Sequence, residues 1–311
     1  MASVVIGCGS LDNVSDVQLA DPTNQLPAHQ FWNSYNLYRF DPAPVNQWTL
    51  VVRQGQVLGS LPVLGQKPIL ISHGFGGSIR TNTFNALAQN LVDNQNASAI
   101  LGFEYDSQDS VARNGGFYTQ ALQQLNPGVD RLSWGLINHS MGGLVARSAV
   151  QAGALPMAAQ GNRFITVGTP HFGSPVANAV QNTGNLEARA AFVGVLNQGG
   201  FVNVDGNPSE VNLGAQGITD LRTDSIFLGA LNGNINNHPQ VNYYTVVGTS
   251  TGQYQTLNDL LGVSTADGFV TQTSANPPQL GALSSGFVPT DHTQMIADPN
   301  TFTLIRQMLT Q

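Results

Sequence analysis

The chain has 311 residues, of which only 9% are charged, with 11 Lys plus Arg against 18 Asp plus Glu and a formal net charge of -7. Globular proteins usually carry about a quarter charged residues, and an acidic chain this poor in cations excludes partners held through basic patches, nucleic acid above all. Hydrophobic residues make up 41%, which excludes wholesale disorder, and no apolar run approaches the ~18 residues of a membrane span, so no transmembrane segment is predicted.

The first ten residues have no basic stretch and too short an apolar run for a secretory signal. Val5-Ile6-Gly7-Cys8 resembles the end of a bacterial lipoprotein signal, in which the cysteine is acylated, but a short apolar segment holding a free thiol is the plainer reading. As the one cysteine of the chain, Cys8 excludes an internal disulfide framework and any multi-thiolate metal site. A single lysine, Lys67, and a polar complement dominated by Asn, Gln, Ser and Thr fit a secreted or cell-envelope protein.

Residues 1–65 read as an N-terminal extension packed on the core. They are rich in turn residues and in aromatics (Phe31, Trp32, Tyr35, Tyr38, Phe40, Trp48), with short strands predicted at 48–53 and 56–61 around Gly55. From Pro68 the pattern becomes regular. Residues 68–72 form a short apolar run before a glycine cluster, the mark of a buried parallel strand, and 81–94 place Phe84, Leu87, Ala88, Leu91 and Val92 at helical spacing. Further strands are predicted at 97–105, 132–138, 163–168 and 241–248, with helices over 116–125, 141–152 and 299–309. This alternation predicts an α/β fold, a mostly parallel central sheet with helices on both faces. Residues 175–239 interrupt it with apolar groups among many Gly and Asn, Leu221, Ile226, Phe227, Leu228 and Leu231 standing at helical spacing. That insertion reads either as a cap or lid or as a subdomain with its own small core.

Asn138-His139-Ser140-Met141-Gly142-Gly143 lies between a predicted strand and a predicted helix. The context fits a nucleophile elbow, a sharp turn that exposes a serine above the sheet and needs small residues on either side. The first glycine of the usual G-x-S-x-G is replaced by Asn138, a residue that tolerates strained backbone. Outside this context Ser140 would pass for a helix N-cap.

His-Ser-Met-Gly-Gly-Leu-Val-Ala-Arg at 139–147 resembles the elbow of bacterial triacylglycerol lipases and esterases of the α/β-hydrolase superfamily. His73-Gly74-Phe75-Gly76-Gly77 resembles their oxyanion loop, and Val167-Gly168-Thr169-Pro170-His171-Phe172-Gly173-Ser174 the lipase segment after the next core strand. The similarity covers roughly 66–175 and 241–311. It implies the α/β-hydrolase fold over 66–311 and a triad in the chain order Ser, acid, His. The insertion at about 175–239, read as a cap or lid from its apolar composition, lies mostly outside the similarity, as do the first sixty residues.

Of the histidines after Ser140, the resemblance favours His292 as the base, in the loop before the terminal helix. His171 reads as a substrate-binding residue of the pocket wall, His238 before Pro239 as solvated, and His73 as an organiser of the oxyanion loop. Thr265-Ala266-Asp267-Gly268-Phe269-Val270 resembles the segment that supplies the lipase acid and points to Asp267, with Asp259 as runner-up. Asp291 adjoins the histidine and would have to fold back on it, while Asp-Gly at 267–268 is also a turn signal in its own right. The backbone N–H groups of Phe75 and Met141 are the expected oxyanion donors. Many such lipases bind calcium through an Asp just after the base; Thr293 and Gln294 stand there instead, so no metal is expected, and the chemistry needs no cofactor.

The implied activity is hydrolysis of lipid-like carboxylic esters through an acyl-enzyme, at a lipid–water interface if the insertion opens as a lid. An acyltransferase or a polyester depolymerase would use the same residues. A non-catalytic hydrolase-fold protein that binds a hydrophobic ligand is the alternative from another class.

Overall fold

The computed structural model describes residues 34–125, 133–155, 161–198, 211–235 and 241–311; Cys8, Phe31, Trp32 and His238 lie outside the described residues. Its strands are β1 (Asn36–Asp41), β2 (Gln47–Arg53), β3 (Gln56–Val57), β4 (Pro68–Ser72), β5 (Ala99–Glu104), β6 (Gly135–His139), β7 (Asn162–Val167), β8 (Val241–Gly248) and β9 (Ser284–Val288). They form one nine-stranded sheet in the order β3-β2-β1-β5-β4-β6-β7-β8-β9. From β5 to β9 all neighbours are parallel, whereas β1 runs antiparallel to both β5 and β2, and β3 extends that edge. The described part of the N-terminal extension therefore enters the sheet itself.

Helices α1 (Asn82–Asp93), α2 (Val111–Leu125) and α3 (Met141–Gln151) connect the strands from β4 to β7. Four more, α4 (Pro175–Asn182), α5 (Leu186–Gln198), α6 (Gln216–Asp220) and α7 (Ile226–Asn232), lie between β7 and β8; α8 (Gln255–Leu261) and α9 (Gln272–Ala275) follow β8, and α10 (Pro299–Thr310) closes the chain. Among the described residues no helix is long and apolar enough to cross a membrane.

Every residue of β4 and β6 is buried, because each side of the sheet carries a helical layer. Ile69, Ile71, Ile137, Ile165 and Val167 pack with Phe84, Leu87 and Leu91 of α1 and with Phe302 and Ile305 of α10. Leu70, Leu136, Phe164 and Tyr243 face the other way, onto Tyr118 and Leu122 of α2 and Val145 and Ala149 of α3. Strands buried on both faces read as continuous apolar runs, which is why these were predictable.

The differences fall at edges and ends. β1 and β9 were not predicted as strands, and α2 begins at Val111 rather than near 116. Its first turn is capped by the Ser110 hydroxyl, which accepts from Arg113 N–H at 3.2 Å, and by Asp220 of α6, whose carboxylate accepts from the Val111 N–H at 2.8 Å. That carboxylate satisfies one of the orphan donors of a helix N-terminus from 109 positions away. In the insertion, Leu221 and Ile226 do not share one helix: Leu221 caps the end of α6 and Ile226 begins α7, and between them the chain turns at 222–225, where Thr223 N–H donates to Asn178 Oδ1 and the Ser225 hydroxyl caps α7.

From β4 the chain passes to β5 on one side and returns to β6 on the other. The loops leaving β4 and β6 therefore meet at a topological switch point, where α/β sheets build their sites.

Candidate active site

Ser140 stands alone between the end of β6 and the start of α3 with φ 54° and ψ -127°. A non-glycine residue held there stores on the order of 1–3 kcal/mol of strain, so its neighbours must enforce it. Ser140 N–H donates to the Val167 carbonyl at 2.9 Å and Gly143 N–H to the Ser140 carbonyl at 3.0 Å. A Cβ at Gly142 would strike the His73 carbonyl, and one at Gly143 the Thr169 hydroxyl, so this helix start fits beneath its neighbours only without side chains.

Asn138 solves the missing glycine in a way different from the expectation. It is ordinary strand residue rather than strained backbone. Its buried side chain is satisfied, Oδ1 accepting from the Ser72 hydroxyl at 2.8 Å.

The loop after β4 is tied down by His73. Its Nδ1 donates to the Gly74 carbonyl at 2.8 Å, its Nε2 accepts from Tyr105 N–H at 3.3 Å, and its ring stacks on Tyr105 at 4.4 Å. Ser107, which sequence spacing does not single out, accepts from Gly76 N–H at 2.9 Å. Gly74 passes directly over the elbow: an added Cβ would lie 2.6 Å from Ser140 Cβ.

His292 reaches Ser140 from the loop between β9 and α10. Its Nε2 lies 2.8 Å from Ser140 Oγ, and its Nδ1 2.8 Å from Asp267 Oδ2. The other carboxylate oxygen of Asp267 accepts from Phe269 and Val270 N–H at 3.0 and 2.8 Å, so the Asp-Gly turn itself fixes the carboxylate. The line is nearly dry, with Asp267, His292 and Ser140 exposed by 1%, 6% and 8%. The structure thus brings Ser140, His292 and Asp267 together. It sets Asp259 on the surface of α8, bonded to Gln255, and turns Asp291 toward the backbone of Thr293 and Gln294.

The same architecture recurs in solved structures. The mature form of the Bacillus licheniformis lipase BlEst2 matches with a TM-score of 0.58 at 20% identity, covering 88% of this chain and 97% of that one. Its propeptide form gives 0.59 at 21% identity, again over 88% of this chain, which spans 53% of that chain's length. A metagenomic carboxyl esterase matches with a TM-score of 0.52 at 14% identity, over 82% of this chain and 76% of the other. The fold is that of the α/β hydrolases. No protein-family model and no curated protein matches the sequence.

Within this α/β-hydrolase frame Ser140 opens onto a cavity of about 510 Å³. Val176 and Ala177 of α4, Phe192 and Val195 of α5, Ile218 of α6, and Phe75 and Phe269 make most of its wall apolar. Among the described residues no group of three or more His, Cys, Asp or Glu could hold a metal ion.

His171 corrects the sequence reading, since it does not reach this wall. It is fully buried behind it, Nδ1 accepting from Arg147 Nη1 at 3.0 Å and Nε2 lying 3.4 Å from the Thr166 hydroxyl. Asn232 at the end of α7 bonds both partners, accepting from Arg147 Nη2 and donating to the His171 carbonyl. The residue is therefore a tie between α3 and the end of the insertion.

Three buried histidines give stability a pH dependence. Burial lowers the pKa of His73, pushes that of His139 down to about 3 with His292 adding to the effect, and holds His171 well below the usual range beside Arg147. The unfolded chain binds these protons near pH ~6.5 and the folded one does not, so stability is full above that pH and falls below it, by about 1.4 kcal/mol per pH unit for each fully shifted group. Asp109 and Asp220, raised by burial, act in the opposite sense but only nearer the carboxylate range. Melting temperatures are therefore expected to drop between about pH 6.5 and pH 5.5. A flat profile across that interval would show that these histidines titrate normally.

Proposed function

We propose that the protein is a serine carboxylester hydrolase acting on lipid-like esters. The observation that carries this reading is the pair of 2.8 Å hydrogen bonds from Asp267 through His292 to Ser140, on a strained elbow facing an apolar cavity. A lipase and a carboxyl esterase among the similar folds are in keeping with it.

Ser140 Oγ attacks the ester carbonyl carbon while His292 Nε2 takes its proton, and Asp267 stabilises the imidazolium so formed. The Phe75 and Met141 N–H groups receive the oxyanion of the tetrahedral intermediate. Its collapse breaks the bond to the alcohol, which leaves with the proton from His292. Water, deprotonated by the same nitrogen, then releases the acid from the acyl-enzyme. In this reading residues 66–311 are the catalytic domain with 1–65 as an extension, α4 to α7 cap the acyl site, and the sparsely charged chain works in the cell envelope or outside the cell, at a lipid–water interface.

The test is turnover of p-nitrophenyl butyrate, octanoate and palmitate, together with labelling by a fluorophosphonate and peptide mapping of the label. Turnover with one label per chain on Ser140 is expected. Absence of both, or a label on another residue, would refute the assignment; an added alcohol converted mainly to ester would mark an acyltransferase instead.

A further inference from the structure

The line from Asp267 to Ser140 leaves one neighbouring ring unused. His139 is buried and adjoins Ser140 in sequence, and its Nε2 lies 2.9 Å from the main-chain carbonyl oxygen of His292. A carbonyl only accepts, so Nε2 of His139 carries the hydrogen and the ring is in one tautomer. The two imidazoles lie side by side with centroids 5.0 Å apart.

This bond closes a circuit. Two adjacent residues of the elbow grip His292 at two points, Ser140 at the tip of the imidazole and His139 at the backbone carbonyl. Asp267 does the same from the other side, its carbonyl accepting from His292 N–H at 2.8 Å and its carboxylate from Nδ1. With N–H, C=O and both ring nitrogens engaged, His292 has no remaining freedom to slide along the loop. The nucleophile and the base arise 152 positions apart, and the main-chain grip of His139 joins their loops independently of the reacting atoms.

We propose that His139 is a positioning residue for the reaction, its Nε2–H holding the His292 carbonyl so that the base meets Ser140 at hydrogen-bond distance. The inference rests on the ester-hydrolase reading above. Its chemistry suits the place. His292 becomes positive in each half-reaction, and a second charge at 5 Å would oppose that; burial keeps His139 neutral, with its pKa down at about 3. An uncharged donor of fixed tautomer holds the carbonyl in the same way throughout the cycle, which a lysine or arginine there would not.

The test compares His139→Phe, which keeps a planar ring and loses the donor, with His139→Gln, whose amide nitrogen stands where Nε2 stood. His139→Phe is expected to lower kcat for p-nitrophenyl octanoate about 10²-fold with KM within about twofold, because displacements near 1 Å have effects of that size. Fluorophosphonate labelling of Ser140 should slow by a similar factor, and His139→Gln should recover kcat to within about fivefold of wild type. A Phe variant as active as wild type, equal losses in the Phe and Gln variants, or a loss confined to KM would each overturn the proposal. Should His139→Phe fail to fold, His139→Leu against His139→Gln decides by the same criteria. An active wild type with indifferent variants overturns this inference alone, whereas a wild type that neither turns over nor labels overturns the hydrolase reading beneath it.

Discussion

Asp267→Asn is expected to lower kcat about 10⁴-fold while leaving the melting temperature within about 5 °C of wild type. The reason lies in how the carboxylate is shared. Oδ1 accepts from two backbone N–H groups, those of Phe269 and Val270, and Oδ2 accepts from His292 Nδ1. An asparagine must keep its oxygen toward the two N–H groups, since they can only donate, and its NH₂ then faces His292. Nδ1 becomes the acceptor, the ring hydrogen moves to Nε2, and the nitrogen that should receive the Ser140 proton already carries one. The fold survives because the turn at 265–270 keeps its acceptor. Asp267→Ala removes that acceptor too and should in addition be less stable by about 1–3 kcal/mol, the penalty of buried donors left unpaired. Steady-state kinetics beside thermal melts separates the two variants; an Asn variant retaining a tenth of wild-type kcat would dismiss Asp267 as the acid.

What the sequence made legible follows from where each residue sits. β4, β6, β7 and β8 are buried on both faces and read as apolar runs, and the turns at their ends carry the conspicuous glycines, so the elbow and the loop at 73–77 could be anticipated, whereas Asp267 and His292 were pointed to by the resemblance to the lipases alone. The edge strands could not. β9 is Ser-Ser-Gly-Phe-Val with exposed alternate positions, a pattern that becomes a strand only once β8 supplies a parallel partner. The start of α2 is set by the Ser110 hydroxyl, a local cap that helical spacing alone does not register, and by a carboxylate in α6 that no local signal announces. His171 went astray for a related reason. A histidine after a strand end points to a pocket unless something behind the wall can hold it, and here Arg147 and Thr166 do. Asn138 and His139 were in view, but what they do depends on Ser72 and on the carbonyl of His292, contacts that the fold makes and spacing does not encode.

Gly74→Ala should lower kcat/KM by about 10²- to 10³-fold without unfolding the protein, the size of effect seen when an oxyanion donor or a reacting group is displaced. A Cβ at this position would stand 2.6 Å from Ser140 Cβ, 3.1 Å from Ser140 Oγ and 3.2 Å from His139 Nδ1. Ser140 cannot yield, because its strained backbone is clamped between Val167 and the first turn of α3. The loop must retreat instead, and the residue that retreats with it is Phe75, whose N–H is assigned to the oxyanion. Its flanks will resist: His73 is held by Tyr105, and Gly76 by Ser107. The strain therefore falls on the peptide that aims the donor, and the loss should appear in kcat more than in KM, since the oxyanion exists only in the transition state and intermediate. Gly116→Ala in α2, where an added Cβ meets nothing within 4 Å, is the control. It should leave kinetics unchanged and stabilise by about 0.5–1 kcal/mol through helix propensity. If Gly74→Ala behaves like that control, the β4 loop does not approach the reacting carbonyl, and the second oxyanion donor must be sought elsewhere around Ser140.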